Sequence, residues 1–328
     1  MSKKIRNMKI KLGIVMDSIK LIDIDKDSSF AMLIEAQNRK YEIYYMEEKD
    51  LFLESENAFA KSKKIKIKKD KKKWFNFIDN KKINLCELDV ILMRKDPPVN
   101  MQFIYTTYIL EKAEKKGTII INKPKSLRNF NEKIFIFDFK EIIPKTIVTK
   151  DIKIIKNFIE KQKEIVLKPL DLMGGKSIFR IKKNDPNYLS IVELMTNYEK
   201  KYCMAQEYIS EINNGDKRII VVNGKIIPWL LKRIPKNGET RANIMSGGKG
   251  IVEKINEKDL KIAKIIAKKL KLNKIFLAGI DIIGDKLTEI NITSPTCIVE
   301  IQKFSKVPIC KIIMNEIENQ IKIKKQKS

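Results

Sequence analysis

Apolar residues in the first third of the chain fall in short runs separated by helix-spaced stretches. MKIKLGIVMD at 8 to 17 reads as a buried-type strand and YEIYYM at 41 to 46 as a second, with two more in LDVILMRKD (88 to 96) and GTIIINKP (117 to 124). Between the first two, Asp27 or Ser28 can cap a helix whose apolar positions Phe30, Leu33 and Ile34 share one face. A further helical stretch runs from about Phe103 to Lys116. Strand and helix alternate, which predicts a parallel, Rossmann-like open sheet, and ligands of such sheets sit beyond the carboxyl ends of the strands. Asp17, Arg94, Lys95 and Asp96 stand at such ends.

The rhythm changes after NKPKSLRNFN (122 to 131), a polar, Pro-containing stretch that is the expected domain boundary. Apolar segments then come in hairpins, the clearest being KRIIVVNGKIIPWLLKRI with its Asn223-Gly224 turn. A helix from about Asn256 to Leu270 and another from about Pro308 complete a mixed α+β half, and no internal repeat is present. The Lys-rich run at 61 to 73 is expected to be an exposed loop.

At 328 residues the chain can bury a full core and divide into two or three compact units. No apolar run approaches the roughly 20 residues that span a bilayer. The basic N-terminus imitates a secretory signal, but its apolar run is broken by Asp17 and lacks a small-residue cleavage site, so the expected location is the cytoplasm, away from any membrane. Cys86, Cys203, Cys297 and Cys310 are too scattered for a disulfide framework or a zinc cluster and read as small buried hydrophobes. There is no histidine, which removes Ser-His-Asp triads, Cys-His nucleophiles and nearly all zinc hydrolase designs.

A net charge of +27 invites a nucleic-acid reading. The lysines are spread along the whole chain beside an excess of Ile, with no aromatic interleaving that suggests base stacking, so the charge reads as compositional drift and no specific nucleic acid is expected. Of the 68 basic residues eight are Arg, and six of those lie in or beside the motifs below. Arg is hard to replace where planar, bidentate pairing with carboxylate or phosphate is needed.

LKPLDLMGGKSIFRI (167 to 181) ends like a Walker A loop, yet Leu170 stands where the first Gly is required and a strand pattern follows. It reads instead as a glycine-rich hairpin tip, in which Gly174 and Gly175 can turn backbone N–H groups toward a phosphate while Lys168 projects from the strand before them. YCMAQEYI (202 to 209) is a strand with a polar end. RIPKNGETRANIMSGGKG (233 to 250) has no periodicity and reads as a binding loop or lid. In GIDIIGDKLTEINITSPT (279 to 296), two strands flank a Gly284-Asp285 turn, and Glu289 and Asn291 share a face. Asp281 joins that face only if opposed residues sum to an even number, as when Asp281 pairs with Glu289. Two facing carboxylates then repel, and with an amide oxygen they form a hard donor set suited to Mg²⁺.

RKDPP, NEK, LKPLDLMGGKSIFR, YCMAQ, GDKR, RIPKNGETRAN and GIDIIGDKLTEINITSPT, in this order, resemble the bacterial glutathione synthetase family of the ATP-grasp superfamily over nearly the whole chain. The resemblance implies an N-terminal Rossmann-like substrate domain at 1 to 127 and a two-subdomain ATP-grasp domain at 128 to 328, divided into 128 to 203 and 204 to 328, with a lid loop at 234 to 249. It implies ATP-dependent ligation of γ-glutamylcysteine and glycine through an acyl phosphate. Lys133, Lys168, Gly174 and Gly175 would hold ATP phosphates, and Gln206, Glu207, Tyr208 and Ile209 the adenine. Asp281, Glu289 and Asn291 would bind Mg²⁺, with Mn²⁺ as the alternative, and Arg218 and Arg233 would stabilise the transferring phosphoryl group. Arg94, Arg241, Asn291 and Ser294 would face the peptide, and the family resemblance implies a homo-oligomer. Leu172, Glu207, Ala242 and Lys249 depart from the family pattern, Leu172 standing where a Gly is usual. Other readings are another ATP-grasp carboxylate–amine ligase, such as a D-Ala-D-Ala ligase, or a non-catalytic basic nucleic-acid-binding protein.

Overall fold

The structure, a computed structural model, describes residues 9 to 236 and 248 to 327. Strand β1 (Lys11–Met16) leads to helix α1 (Ser28–Asn38), β2 (Glu42–Met46), β3 (Leu51–Glu54), β4 (Asn57–Ile67) and β5 (Phe75–Asn84). Then come β6 (Val90–Arg94), α2 (Met101–Lys115), β7 (Ile119–Ile121) and the short α3 (Pro124–Asn129). Asp27 is the cap of α1, its carboxylate accepting the Phe30 amide at 2.6 Å. Strands β2, β1, β6 and β7 lie side by side and parallel, as the alternation predicts. Strand β4 adds to β2 antiparallel and carries β3 and β5, which extends the parallel sheet by a meander.

That meander corrects the expectation for the Lys-rich run, whose residues 61 to 67 belong to β4 and pair with β5; the loop is confined to 68 to 74. Ala58, Ala60 and Ser62 are buried, then Ile65 and Ile67, so the inward parity changes midway, and the β4–β5 register shifts between Lys64 and Ile65. The extra residue of that shift is Ile78 of β5, so β4 itself is continuous; its period-two pattern changes phase because Ala58 and Ala60 pack into one core and Ile65 and Ile67 into the other, on opposite faces of the sheet. Lysines of both strands cover aromatic rings, Lys63 of β4 lying 4.9 Å from the centre of Phe77 and Lys82 of β5 4.4 Å from that of Phe59.

The second sheet comes from β8 (Thr146–Thr149), α4 (Ile152–Gln162), β9 (Glu164–Pro169), β10 (Phe179–Lys182), α5 (Tyr188–Thr196) and β11 (Cys203–Glu207). Its order is β10-β9-β11-β8, antiparallel throughout, and α4 and α5 pack on it around Ile155, Ile159, Ile165, Leu167, Ile181 and Val192 in a core of its own.

The rest is β12 (Asp216–Val222), β13 (Lys225–Ile234), β14 (Lys249–Lys254), α6 (Glu257–Leu272), β15 (Leu277–Ile283), β16 (Lys286–Asn291), α7 (Ile298–Ser305) and α8 (Ile309–Lys327). The third sheet runs β14-β13-β12-β15-β16, again antiparallel, with the β12–β13 hairpin closing on Asn223-Gly224 as expected. The stretch without periodicity is shorter than 233 to 250, since β13 reaches Ile234 and β14 begins at Lys249; most of the proposed lid lies outside the described residues.

The first and third sheets share their cores, and buried Asn122 joins them. Its Nδ2 donates to the carbonyls of Leu277 (2.7 Å) and Ile292 (2.6 Å), and its Oδ1 accepts the amides of Phe276 (2.8 Å) and Leu277 (2.9 Å). All its hydrogen-bonding capacity goes to the β15–β16 hairpin, which carries the acidic motif.

Candidate active site

A cleft of about 970 Å³, counting the solvent at its mouth, opens between the second and third sheets. From the second sheet come Lys168 at the end of β9, Gly174 and Gly175 in the loop after it, and Gln206 to Ile209 at the end of β11. From the third come Asp216, Arg218, Asp281, Thr288, Glu289 and Asn291, and Lys133 reaches in from the segment after α3. Residues up to 158 positions apart in sequence thus line one space because two antiparallel sheets face each other.

The glycine-rich loop is a hairpin tip between β9 and β10, as read from the sequence. Gly174 and Gly175 have φ of 71° and 76°, a left-handed region that strains other residues. Leu172 is not among the positive-φ residues, so nothing in its backbone calls for glycine. It contributes its carbonyl, which accepts Lys133 Nζ at 2.8 Å. Glu207 pairs with the Lys145 backbone, donating its amide to the Lys145 carbonyl at 2.8 Å. Lys168 Nζ donates to Gln206 Oε1 at 2.7 Å, tying the expected phosphate cation to the expected adenine hinge. Arg180 lies 3.8 Å from the centre of the Tyr208 ring and bonds Glu164 at 2.6 Å, which backs the hinge from outside.

On the third sheet Asp281 pairs with Glu289, as the even-sum condition requires, but by an unexpected route. The turn has only two residues, Gly284 and Asp285, and near it Ile283 faces Lys286 and Ile282 faces Leu287. Thr288 is the extra residue of a bulge, which moves the register by one and brings Asp281 opposite Glu289. Its hydroxyl donates to the Asp281 carbonyl at 3.2 Å.

The two carboxylates do not face each other unscreened. Arg218 grips Asp281 with Nε on Oδ1 and Nη2 on Oδ2, the latter at 2.7 Å, and Arg233 Nη2 lies 3.0 Å from Asp281 Oδ1 while also bonding Asp216. Glu289 Oε1 is 3.0 Å from Lys133 Nζ. The repulsion inferred from the sequence is thus already offset by side-chain cations. Burial pushes Asp281 up, yet Arg218 and Arg233 outweigh it and hold the group down at about 2. Burial dominates at Asp216 and raises it to about 6. Burial also opposes charge on both lysines; Glu289 and Glu132 reverse this at Lys133, whose pKa rises, whereas Lys168, next to Lys133, is pushed down.

Asn291 turns its Nδ2 to Asp281 Oδ2 at 3.1 Å, so Asp281, Glu289 and Asn291 stand together on one face, and their side-chain oxygens make an all-oxygen donor set once the Asn291 amide turns its Oδ1 the same way. That hard set fits Mg²⁺, and an ion there would share Asp281 with the arginines.

Arg94 and Ser294 stand apart from this cleft wall, at the carboxyl end of β6. Buried Arg94 donates from Nε to Ser29 Oγ and from Nη2 to the Pro295 carbonyl, both at 2.9 Å, which leaves Nη1 without a partner among the described residues. Ser294 bonds Asp96, and Lys95 pairs with Asp17 at 2.9 Å. Arg241 lies outside the described residues.

Two family profiles match nearly the whole chain: "Prokaryotic glutathione synthetase, N-terminal domain" at residues 10–128 and "Prokaryotic glutathione synthetase, ATP-grasp domain" at residues 132–306. The chain belongs to the prokaryotic glutathione synthetase family. It is 58% identical to a glutathione synthetase of Buchnera aphidicola subsp. Schizaphis graminum, covering 95% of this chain and 98% of that protein. The one from Escherichia coli K12 is 52% identical over 95% of this chain and 99% of its own. Among solved structures, D-cycloserine synthetase DcsG superposes with a TM-score of 0.67 at 11% identity, covering 94% of this chain and 99% of that one. D-alanyl-alanine synthetase A of Vibrio cholerae gives 0.60 at 12%, covering 96% and 99%. At such identities these two show the fold alone, an ATP-grasp fold behind an N-terminal α/β domain.

Sequence reasoning about this glutathione synthetase family member missed Asp216 and Gly279. Asp216 was legible only as part of GDKR, although it bonds Arg233, lines the cleft and has a buried Oδ1 with no partner among the described residues. Gly279 is required by close approach: a Cβ there would lie 2.8 Å from Arg218 Cδ and 3.1 Å from its Nε. Arg218 cannot retreat without releasing Asp281. Gly279→Ala should therefore cost about 1–3 kcal/mol of stability and lower turnover roughly tenfold, read from a denaturant midpoint and from kcat.

Proposed function

We propose that this chain joins the cysteinyl carboxylate of γ-glutamylcysteine to the amine of glycine, using ATP and giving glutathione, ADP and phosphate. The observation that carries this reading is the cleft between two antiparallel sheets in a chain whose family profiles span it almost end to end. Residues 1 to 127 would serve the peptide substrate and 128 to 328 ATP.

Gln206, Glu207, Tyr208 and Ile209 would receive adenine at the end of β11, and Lys133, Lys168 and the amides around Gly174 and Gly175 the phosphates. Asp281, Glu289 and Asn291 are the residues that would hold Mg²⁺, which when bound draws charge off the phosphate oxygens. Arg218 and Arg233 lie beside those residues and carry fixed positive charge, since Asp281 and Asp216 outweigh their burial and raise their pKa values. Transfer of the γ-phosphoryl group to the cysteinyl carboxylate needs positioning and cationic stabilisation above all, which explains a site without histidine. The acyl phosphate so formed is attacked by the glycine amine and phosphate leaves. Arg94, Ser294 and Arg241, with Asn291, are the residues proposed to face the dipeptide; the Nη1 of Arg94 is a buried donor with no partner among the described residues.

No helix among the described residues is long and apolar enough to cross a membrane. Purified protein with Mg²⁺, ATP, γ-glutamylcysteine and glycine should release ADP and form glutathione, and omission of either amino-acid substrate should stop it. Release with D-alanine alone, or none with any of these substrates, would reject the assignment.

A further inference from the structure

Residues 131 to 133 touch both walls of the cleft at once. Asn131 Nδ2 donates to the Leu170 carbonyl at 2.9 Å and Lys133 Nζ to that of Leu172, so the segment holds the base of the glycine-rich loop. On its other side it runs along β16, the edge strand of the third sheet. Ile290 donates its amide to the Glu132 carbonyl at 2.9 Å. Just beyond the strand, Glu132 Oε1 accepts the amides of Ile292 (2.6 Å) and Thr293 (2.8 Å) and the Thr293 hydroxyl (2.9 Å). Glu132 is 6% exposed and lies off the ATP cleft, against a second, smaller cavity. Its carboxylate touches no residue assigned to nucleotide, so the mechanism above does not use it.

The arrangement brackets Asn291. Main chain and side chain of one residue fix positions 290, 292 and 293, while the next residue, Lys133, reaches Glu289. A buried carboxylate that satisfies three donors is costly to remove, because two backbone N–H groups would be left without partners. Glu132 is itself disfavoured there, since burial and the nearby Glu289 both raise its pKa. A merely apolar contact would cover this edge of the sheet without that penalty.

We infer that Glu132 is a positioning residue: it sets the end of β16, with Glu289 and Asn291, at a fixed distance from Lys133 and the glycine-rich loop, so that phosphate and metal are gripped together. The inference rests on the ATP and metal assignment proposed above. Adenine, received at the end of β11, does not depend on this bridge.

The test measures equilibrium binding of adenosine, ADP and ADP with Mg²⁺ to wild type, Glu132→Ala, Glu132→Gln and Thr293→Val. Wild type should bind ADP more tightly with Mg²⁺ than without; if it does not, the site assignment itself fails, whatever the variants do. Glu132→Ala should bind adenosine as wild type does and Mg²⁺-ADP about tenfold more weakly. Glu132→Gln keeps an acceptor oxygen and should recover to within about threefold. If the alanine variant does not fold, Thr293→Val, which removes one donor and little volume, should lose roughly threefold in Mg²⁺-ADP affinity alone. Mg²⁺-ADP binding unchanged in the folded variants, adenosine and Mg²⁺-ADP weakened equally, or Gln no better than Ala would each overturn the inference.

Discussion

Glu289→Gln should lower kcat at a fixed, subsaturating Mg²⁺ concentration by about 10²–10³-fold while the fold persists. Gln matches Glu in volume, so the β15–β16 pairing and its bulge should survive, and far-UV circular dichroism should not change. The loss falls on charge. Glu289 faces Asp281 across the sheet, bonds Lys133 and has a side chain still 24% exposed, enough for one oxygen to remain open to the cleft. Removing that charge weakens the grip on a cation and leaves Lys133 with Glu132 as its nearest carboxylate influence. Stability should drop by only about 1–2 kcal/mol, because Glu289 is not fully buried and the Leu172 carbonyl still accepts from Lys133. Turnover that stays at the wild-type level when Mg²⁺ is limiting would sink the metal assignment.

Much of the fold was legible because its sequence signals are local. Apolar runs with helix-spaced segments between them gave the parallel strands β1, β2, β6 and β7, and Asn223-Gly224 gave the β12–β13 hairpin. The misread strand β4 and the correctly paired β16 both escape simple period-two counting. In β4 the buried face changes between Ser62 and Ile65, because Ala58 and Ala60 pack into one core and Ile65 and Ile67 into the other, while the extra residue of the adjoining bulge, Ile78, lies in β5. In β16 the extra residue, Thr288, lets a two-residue turn produce the pairing that simple counting assigns to a three-residue turn. Bulges are invisible to period-two reading because they change its phase.

The residue types of the site were legible too, but their partners were not. Asp281 and Glu289 looked like carboxylates awaiting a cation; Arg218, Lys133 and Lys168, from distant segments, line their cleft, and buried Arg233 pairs with Asp281. Such pairings depend on how sheets face each other, which no spacing rule encodes. The same holds for Gly279, whose missing Cβ matters only because Arg218 crosses it.

Asp281→Asn should destabilise the protein by about 3–5 kcal/mol and abolish turnover, an effect on stability well beyond that of Glu289→Gln. Asp281 is 3% exposed and holds two arginines that are themselves buried, so the neutral variant leaves Arg218 without its only ion-pair partner among the described residues. Arg233 keeps Asp216. The sign of the pH dependence follows from the depressed pKa of Asp281: its stabilisation is fully present above the unfolded value of about 3.9 and is lost as pH falls toward about 2. Below pH 4, wild type and Asp281→Asn should therefore converge in denaturant midpoint. A double variant, Asp281→Leu with Arg218→Met, separates the structural role from the chemical one. Replacing both members of a buried pair by apolar groups of similar size is often neutral, so it should regain most of the lost stability and none of the activity. Regained turnover in the double variant would show that neither residue handles phosphoryl transfer.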